Sequence, residues 1–167
     1  MDKVIVVTAP TTPTRPRHTF LKAGQDLYKA ALELSNSGGL PGPTDHLAGL
    51  AAECVAKAML IDFFGSVQDS PNAKPYSPVI EGMPGMNKYK ASHGHMPGAW
   101  DHLMLVANGR RGAEVRKHIP RQNPFKTRSD AWHESHRYLD GDKLPAQRVA
   151  RHLAAALSLI TAYNHAK

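Results

Sequence analysis

Apolar residues recur every three or four positions in two long stretches of the chain. The first stripe begins at Phe20 and reaches Leu34, and the Asn, Ser and two Gly of residues 36–39 follow it as a typical helix end. The second runs from Val149 to Tyr163, after a proline suited to a first helical turn. Both patterns predict amphipathic helices, the first of them beginning near residues 17–19.

A helix that is apolar on nearly every side is predicted between these two. A Pro-Thr pair ending at Thr44 is a strong start signal, with Thr44 as the N-cap. Such a helix normally lies at the centre of a bundle, where its few polar side chains must find partners or face a cleft. His46, Glu53 and Lys57 share one face, and the preferred interpretation is an internal pair between Glu53 and Lys57.

Elsewhere the pattern predicts short helices between breaks. Residues 65–97 hold five Pro, four Gly and three of the six Met without helical periodicity, which predicts a long loop that packs in part on the helices. Further helices are predicted after Pro97, over 112–118, and over 129–138 with Ser129 and Asp130 as its cap. Several helices with no credible sheet give an all-α bundle with four core helices and short extra helices before the last.

Length and composition add an expectation about organisation and location. The chain has 167 residues, which suits one domain, and we expect an extended segment over 1–16 followed by a helical domain over 17–167. The lone cysteine, Cys54, cannot form an intrachain disulfide, which favours a reducing compartment. The apolar run Val4 to Val7 could form a short edge strand but is too short for a signal-peptide core, and no stretch has membrane-spanning length. A cytoplasmic protein without membrane contact is expected.

Charge is concentrated in one segment. The formal net charge is +7, and residues 109–128 contain seven basic residues against the single acid Glu114, a net +6. Such a run is ordinarily a solvated helix face, and the alternative is a surface that contacts phosphates. The residues predicted to contact nucleic acid are Arg110, Arg111, Arg116 and Lys117.

Four stretches resemble, in the same order, one group of bacterial HEPN proteins. They are residues 45–58, which look like the second core helix of that group, residues 94–100, residues 110–112, and residues 123–125 followed by Trp132 and the pair Arg137-Tyr138. The resemblance covers most of the chain from about Arg17 onward. It implies a bundle of four core helices, often dimeric, of the kind found in toxin-antitoxin, phage-defence and CRISPR-associated systems.

The resemblance also implies a candidate chemistry. Many HEPN members cleave RNA without a metal, using an Arg followed after four to six residues by a His in a site shared by two protomers. Arg128 with His133 and Arg111 with His118 both satisfy that spacing, but about two such pairs are expected by chance. Position favours the first pair, since the family's motif lies near the last core helix. The predicted catalytic residues are Arg128, His133, His136 and Arg137.

Structural interpretations compete for the same residues. Trp132 and Tyr138 could stack bases or anchor their segment to the core, and Arg137 could pair with a buried acid such as Glu53. His152 lies on the last apolar stripe and is most simply a core histidine with one hydrogen bond. Two histidine pairs have metal-ligand spacing but no nearby Cys or carboxylate set, so neither a metal nor another cofactor is expected. These pairs are His93 with His95 and His133 with His136.

Two functional hypotheses remain. In the first, the chain is an RNA-directed HEPN protein, a candidate metal-independent endoribonuclease of a bacterial defence or toxin-antitoxin system. His133 then acts as general acid or base, and Arg128 or Arg137 stabilises the charge on the phosphorane. In the second, it is a non-catalytic helical module for dimerisation or protein binding. The expected partners are RNA, a second copy of the chain, and an antitoxin or a nucleotidyltransferase.

Overall fold

The computed structural model describes residues 19–38, 40–127, 130–138 and 143–167, so the predicted segment 1–16 and its edge strand lie outside the described residues. The described ranges form seven α-helices, one 3-10 helix and no strand, which confirms the all-α prediction. The helices are α1 (Phe20–Asn36), α2 (Pro41–Phe64), α3 (Pro78–Glu81), α4 (Lys88–Ala91), α5 (Gly98–Val106), α6 (Gly109–His118) and α7 (Ala146–Ala166), and the 3-10 helix spans Glu134–Tyr138.

The helix α2 lies at the centre of the molecule, as its apolar surface predicts. Fourteen of its 24 residues are buried, and it packs against α1, α5 and α7. Small residues permit this close packing: a Cβ added to Gly24 of α1 would lie 2.6 Å from the Cγ2 of Val55. The core around α2 therefore forms from Ala, Gly and Val as much as from larger side chains.

The start of α2 differs from the prediction. The helix begins at Pro41, with Leu40 in the N-cap position, and Thr44 lies within the first turn. Because Pro41 has its φ fixed near the helical value and needs no hydrogen-bond acceptor, the helix begins about one turn earlier than the Pro-Thr pair ending at Thr44 suggests. The Thr44 hydroxyl donates to the carbonyl of Leu40 at 3.0 Å, and so it does not cap the helix.

The helices α2 and α7 run parallel. Asp45, near the start of α2, contacts Arg148 near the start of α7, and Asp62 near the end of α2 accepts a 2.7 Å hydrogen bond from Tyr163 near the end of α7. Burial and the Asp62 carboxylate raise the pKa of Tyr163 to about 12. The bundle therefore has a start end, where both α2 and α7 begin, and a far end, where both helices finish.

The long segment 65–97 packs in part, as expected. It contains α3 and α4, and isolated bridges join Tyr76 to Val67 and to Ser92. Ile80 and Met96 are buried in the core, which explains why this Pro- and Gly-rich stretch follows the surface of the bundle closely.

The remaining helices confirm some predictions and correct others. The helix after Pro97 is α5, and α6 begins at Gly109, three residues before the predicted start. The predicted helix over 129–138 is wrong in the residues described: only the 3-10 helix forms. The backbone amide of Trp132 donates to the carbonyl of Phe125 at 3.0 Å, which directs this backbone away from helical geometry. None of the helices in the described ranges is long and apolar enough to cross a membrane.

Candidate functional site

A buried group of charges connects the first turns of α2 and α7. The Oδ2 of Asp45 accepts hydrogen bonds from the Nε and Nη2 of Arg148 at 3.2 and 3.0 Å, and its Oδ1 accepts one from the Nδ1 of His152 at 2.7 Å. Burial alone would raise the pKa of Asp45, but His152 and Arg148 outweigh it and hold the pKa below its usual value. Asp45, Arg148 and His152 are called the Asp45 network below.

His152 is the core histidine that its place on the apolar stripe indicates. Both of its ring nitrogens have a polar contact, whereas one hydrogen bond was expected. Its Nε2 lies 3.3 Å from the carbonyl oxygen of Pro124, and its ring stacks on Phe125 with centroids 4.6 Å apart. It therefore fixes the 123–125 loop to α7.

The Asp45 network reaches the surface through His136. The Nη2 of Arg148 lies 2.7 Å from the Nδ1 of His136, and because a guanidinium can only donate, that ring nitrogen is the acceptor. The ring proton of neutral His136 is then on Nε2. Burial lowers the pKa of His136, and the positive charge of Arg148 lowers it further. His136 is held as a neutral imidazole with its N–H on the side away from Arg148.

Trp132 anchors the segment that carries His136. Its indole N–H donates to the carbonyl of Asp45 at 3.2 Å, its side chain is buried, and the ring of His46 stacks on it with centroids 5.8 Å apart. Gly49 makes room for the indole, since a Cβ there would lie 2.1 Å from the Cε2 of Trp132. The structural role expected for Trp132 is therefore present, whereas Tyr138 is 75% exposed and anchors nothing.

Three of the four predicted catalytic residues lie together on this anchored turn. His133 is exposed, with its Nδ1 2.8 Å from the Oγ of Ser135 and 3.1 Å from the Ser135 amide nitrogen. Arg137 is also exposed and lies over the ring of Tyr138 at 4.7 Å. His136 is half-buried between them and α7. The fourth, Arg128, lies outside the described residues.

A second buried pair lies about two turns further along α2. The Nζ of Lys57 donates to the Oε1 of Glu53 at 2.6 Å, which is the internal pair that the sequence indicates. The Oε2 of Glu53 lies 3.0 Å from the Nδ1 of His95, whose Nε2 lies 3.1 Å from Glu134. The carboxylate of Glu53 is thus taken by Lys57 and His95, and the ion pair considered for Arg137 and Glu53 does not form.

The basic helix α6 lies elsewhere on the bundle. The ring of His118, its last residue, stacks on His165 near the end of α7, with centroids 4.3 Å apart. His165 follows Arg148 by 17 residues, which at 1.5 Å per residue is about 25 Å along α7. The predicted nucleic-acid-binding residues are therefore at the far end of the bundle. They lie away from the turn of residues 132–138 that carries His133, His136 and Arg137, which is called the histidine turn below.

Most of those four cations already have partners within the protein. Arg116 donates to the carbonyls of Ala107 and Met104 at 2.8 and 2.7 Å and so caps the end of α5. Lys117 pairs with Glu114 at 2.6 Å, and the guanidinium of Arg111 lies over the ring of Phe63 at 5.3 Å. Arg110 has no such contact among the described residues. All four are exposed and keep part of their charge available to solvent.

Sequence reasoning missed Asp45, Arg148 and Glu134 as parts of this site. Asp45 and Arg148 are separated by 103 residues, so no local motif joins them. The available signal was a charged residue near the start of each of two otherwise apolar helices, because a buried charge requires a partner of opposite sign. The thiol of Cys54 is not suited to act as a nucleophile, since burial raises its pKa to about 11.

Fold and site together define an all-α protein with an anchored turn rich in His and Arg. No family model, curated protein or solved structure matches the chain.

Proposed function

We propose that the chain is an RNA-directed protein of HEPN type whose histidine turn, residues 132–138, cleaves phosphodiester bonds without a metal. The observation that carries the proposal is the gathering of His133, His136 and Arg137 on one short turn that the buried Asp45 network fixes. Buried charges that orient a surface histidine are a common device of catalytic sites. The likeness of residues 45–58 to a HEPN core helix supports the same assignment.

His133 is the residue suited to transfer a proton. The Ser135 amide donates to the Nδ1 of His133, which leaves the proton of the neutral ring on Nε2. Action as a base at Nε2 therefore requires the other tautomer, in which this contact opens and Nδ1 donates to the Oγ of Ser135. As a general base it removes the proton of a ribose 2′-hydroxyl, whose oxygen then attacks the adjacent phosphorus. The bond from phosphorus to the 5′-oxygen breaks, the leaving oxygen takes a proton from solvent water, and His133 returns the proton it removed to solvent. The products are a 2′,3′-cyclic phosphate and a 5′-hydroxyl.

His136 and Arg137 serve the phosphate in this scheme. His136 cannot act as a base at Nε2 while Arg148 donates to its Nδ1, but its Nε2–H can donate to a phosphate oxygen. The exposed guanidinium of Arg137 supplies positive charge for the phosphorane. The ring of Tyr138 offers a face on which a base can stack.

The basic helix has a separate role in the proposal. Because it lies about 25 Å from Arg148 along α7, its cations do not stabilise the reacting phosphate and contribute to affinity alone. Replacing Arg110 and Arg111 by Ala should therefore weaken RNA binding and flatten its salt dependence. The cleavage rate at saturating RNA should stay unchanged.

A non-catalytic module for dimerisation or protein binding is the second candidate function. The observation that favours it is the set of intramolecular partners of Arg116, Lys117 and Arg111, which gives these cations structural work without RNA. In that case the Asp45 network serves to fasten the histidine turn to the bundle. An antitoxin or a nucleotidyltransferase is the partner class that the HEPN resemblance implies.

A homodimer is expected under both candidate functions. HEPN catalytic sites are shared by two protomers, and a homodimer would bring two histidine turns together. Light scattering at micromolar concentration should give twice the mass of 18.2 kDa, and a monomer would remove the shared site from the proposal.

The deciding experiment is RNA cleavage in EDTA by the purified chain and two matched variants. His133→Ala should lower the rate about 100-fold to 10,000-fold while circular dichroism and Tm stay near the parent values. His118→Ala is the control, since Arg111 and His118 have the same family spacing but lie at the far end. Equal cleavage by parent and His133→Ala would overturn the assignment, and a parent that never cleaves would favour the non-catalytic module.

A further inference from the structure

We propose that Glu114, His118 and His165 form a binding site for a zinc-type transition-metal dication, at the far end of the bundle from the histidine turn. The three residues come from two helices: Glu114 and His118 are one turn apart on α6, and His165 lies in the last turn of α7. One ligand atom of each lies within 4.8 Å of the others. The inference does not depend on RNA cleavage.

The three donor atoms already lie close together. The Nε2 of His118 lies 3.3 Å from the Oε1 of Glu114, and the rings of His118 and His165 are stacked with an interplanar angle of 14°. In a tetrahedral zinc site with bonds of about 2.1 Å, neighbouring ligand atoms lie roughly 3.4 Å apart. The pair on α6 is therefore at ligand spacing. Closing the site requires the exposed side chain of His165 to turn out of the ring stack, because the in-plane lone pairs of two parallel rings do not meet at one point, and to bring its donor atom from within 4.8 Å to about 3.4 Å of the other two.

The carboxylate of Glu114 is arranged for a single metal bond. Lys117 donates to its Oε2 at 2.6 Å, which leaves Oε1, the oxygen beside His118, for the metal. A partner that holds the second oxygen of a ligating carboxylate is a common feature of metal sites.

The donor set selects the kind of metal. The segment 109–128 carries a net charge of +6, and Glu114 is its one acid. Hard cations such as Mg²⁺ and Ca²⁺ require several oxygen ligands and gain nothing from imidazole, so a site with a single carboxylate does not suit them. Zn²⁺, Ni²⁺ and Cu²⁺ bind imidazole nitrogen well enough to occupy a site with two histidines and one carboxylate.

Occupation of the site would fasten α6 to the last turn of α7. Three protein ligands leave a fourth position for water, and the bonds join two helices that otherwise meet through packing and the histidine stack. A metal that binds the folded chain alone must stabilise it. At about 100 times the dissociation constant, the expected rise in Tm is roughly 5–10 °C for a chain of this size.

The test uses the untagged full-length chain, dialysed against EDTA and then freed of it. Calorimetric titration with ZnCl₂ should show one site per chain, MgCl₂ should show none, and Co²⁺ should give the visible absorption of a tetrahedral centre. His165→Ala and Glu114→Gln should each weaken zinc binding at least about tenfold and remove the rise in Tm. His133→Ala, which removes an exposed histidine outside the cluster, should bind zinc as the parent does.

Two results would overturn the proposal. The first is the absence of both heat and a Tm change with ZnCl₂ at micromolar concentration, which would leave the histidine stack as a purely structural contact. The second is undiminished binding by both His165→Ala and Glu114→Gln, which would assign the zinc to other histidines of the chain.

Discussion

The two ends of the α2–α7 pair both gather charged side chains, but they hold them in opposite ways. At the start end, Asp45 and Arg148 are 1% and 4% exposed and depend on partners from distant parts of the chain. At the far end, the cations of α6 are exposed, and Lys117 takes its partner from within three residues. Local sequence produces the Glu114–Lys117 pair of the far end, whereas only the fold brings Asp45 to Arg148.

The difference predicts where the protein is sensitive to substitution. A buried charge that loses its partner keeps its full desolvation cost, whereas an exposed charge is taken up by water. Residues of the Asp45 network should therefore control stability and the position of His136. Residues of α6 should alter stability much less.

The largest effect is expected for Asp45→Ala. The substitution leaves Arg148 as a buried charge without its carboxylate, and removing one partner of such a pair costs about 3–5 kcal/mol. Asp26→Ala is the matched control, because Asp26 pairs with Lys22 on the exposed face of α1 and its loss should cost only about 0.5 kcal/mol or less. Urea unfolding measures the loss of unfolding free energy in each variant. Equal losses would contradict the difference between buried and exposed charges.

Acid should destabilise the protein through its buried histidines. Burial lowers the pKa of His93 from 6.5 to about 3, so between these values the unfolded chain binds one more proton than the folded chain. Stability is then complete above pH 6.5 and is lost as the pH falls, by about 2 kcal/mol between pH 7 and pH 5 from this residue alone. Urea unfolding at pH 7 and at pH 5 measures this difference in the free energy of unfolding.

The variant His93→Gln isolates that contribution. His93 lies between the Oγ of Ser66 at 2.8 Å and the Nδ1 of His102 at 3.0 Å, so the substitution lowers stability at every pH. Its unfolding free energy should nevertheless fall less steeply from pH 7 to pH 5 than that of the parent. An equal fall in unfolding free energy from pH 7 to pH 5 in the two proteins would show that other groups cause the acid sensitivity.

A smaller loss is expected for Gly49→Ala. The new Cβ would lie 2.1 Å from the ring of Trp132, and overpacking of this kind costs about 1–3 kcal/mol, offset by about 1 kcal/mol of improved helix propensity. Gly98→Ala adds the same methyl in α5 at a position with no atom within 4 Å, and it should not destabilise the protein. Thermal unfolding compares the two, and a normal Tm for Gly49→Ala would show that the histidine turn is not held by close packing.

The smallest effect tests the far end. Arg116→Ala removes two hydrogen bonds to the last carbonyls of α5 from a side chain that is largely exposed, and should cost about 1 kcal/mol. Arg110→Ala removes a cation without such a contact in the described part of the chain and should leave the unfolding free energy unchanged. If Arg110→Ala were as destabilising as Asp45→Ala, the contrast between the two ends would fail.

Sequence patterns predicted the helices better than the site. The stripes of α1 and α7 and the apolar surface of α2 gave helices close to those observed, because each is a local consequence of spacing. Errors arose where tertiary contacts determine the backbone. Trp132 is tied to Phe125, and the predicted helix around it is replaced by a short 3-10 turn.

The site was predicted in part for the same reason. His133, His136 and Arg137 are neighbours in sequence, so one turn brings them together. Neither the pairing of Asp45 with Arg148 nor the position of α6 at the far end can be read from spacing. The first depends on α2 and α7 being parallel, and the second depends on the contact between His118 and His165.

The central claim is that the histidine turn cleaves RNA without a metal, and analysis of the product ends tests it most directly. After incubation of a labelled RNA with the purified chain in EDTA, the account predicts 2′,3′-cyclic phosphate and 5′-hydroxyl ends, and no cleavage where the 2′-hydroxyl at the scissile site is replaced by hydrogen. Products with 3′-hydroxyl ends, or cleavage of the 2′-deoxy substrate, would contradict it.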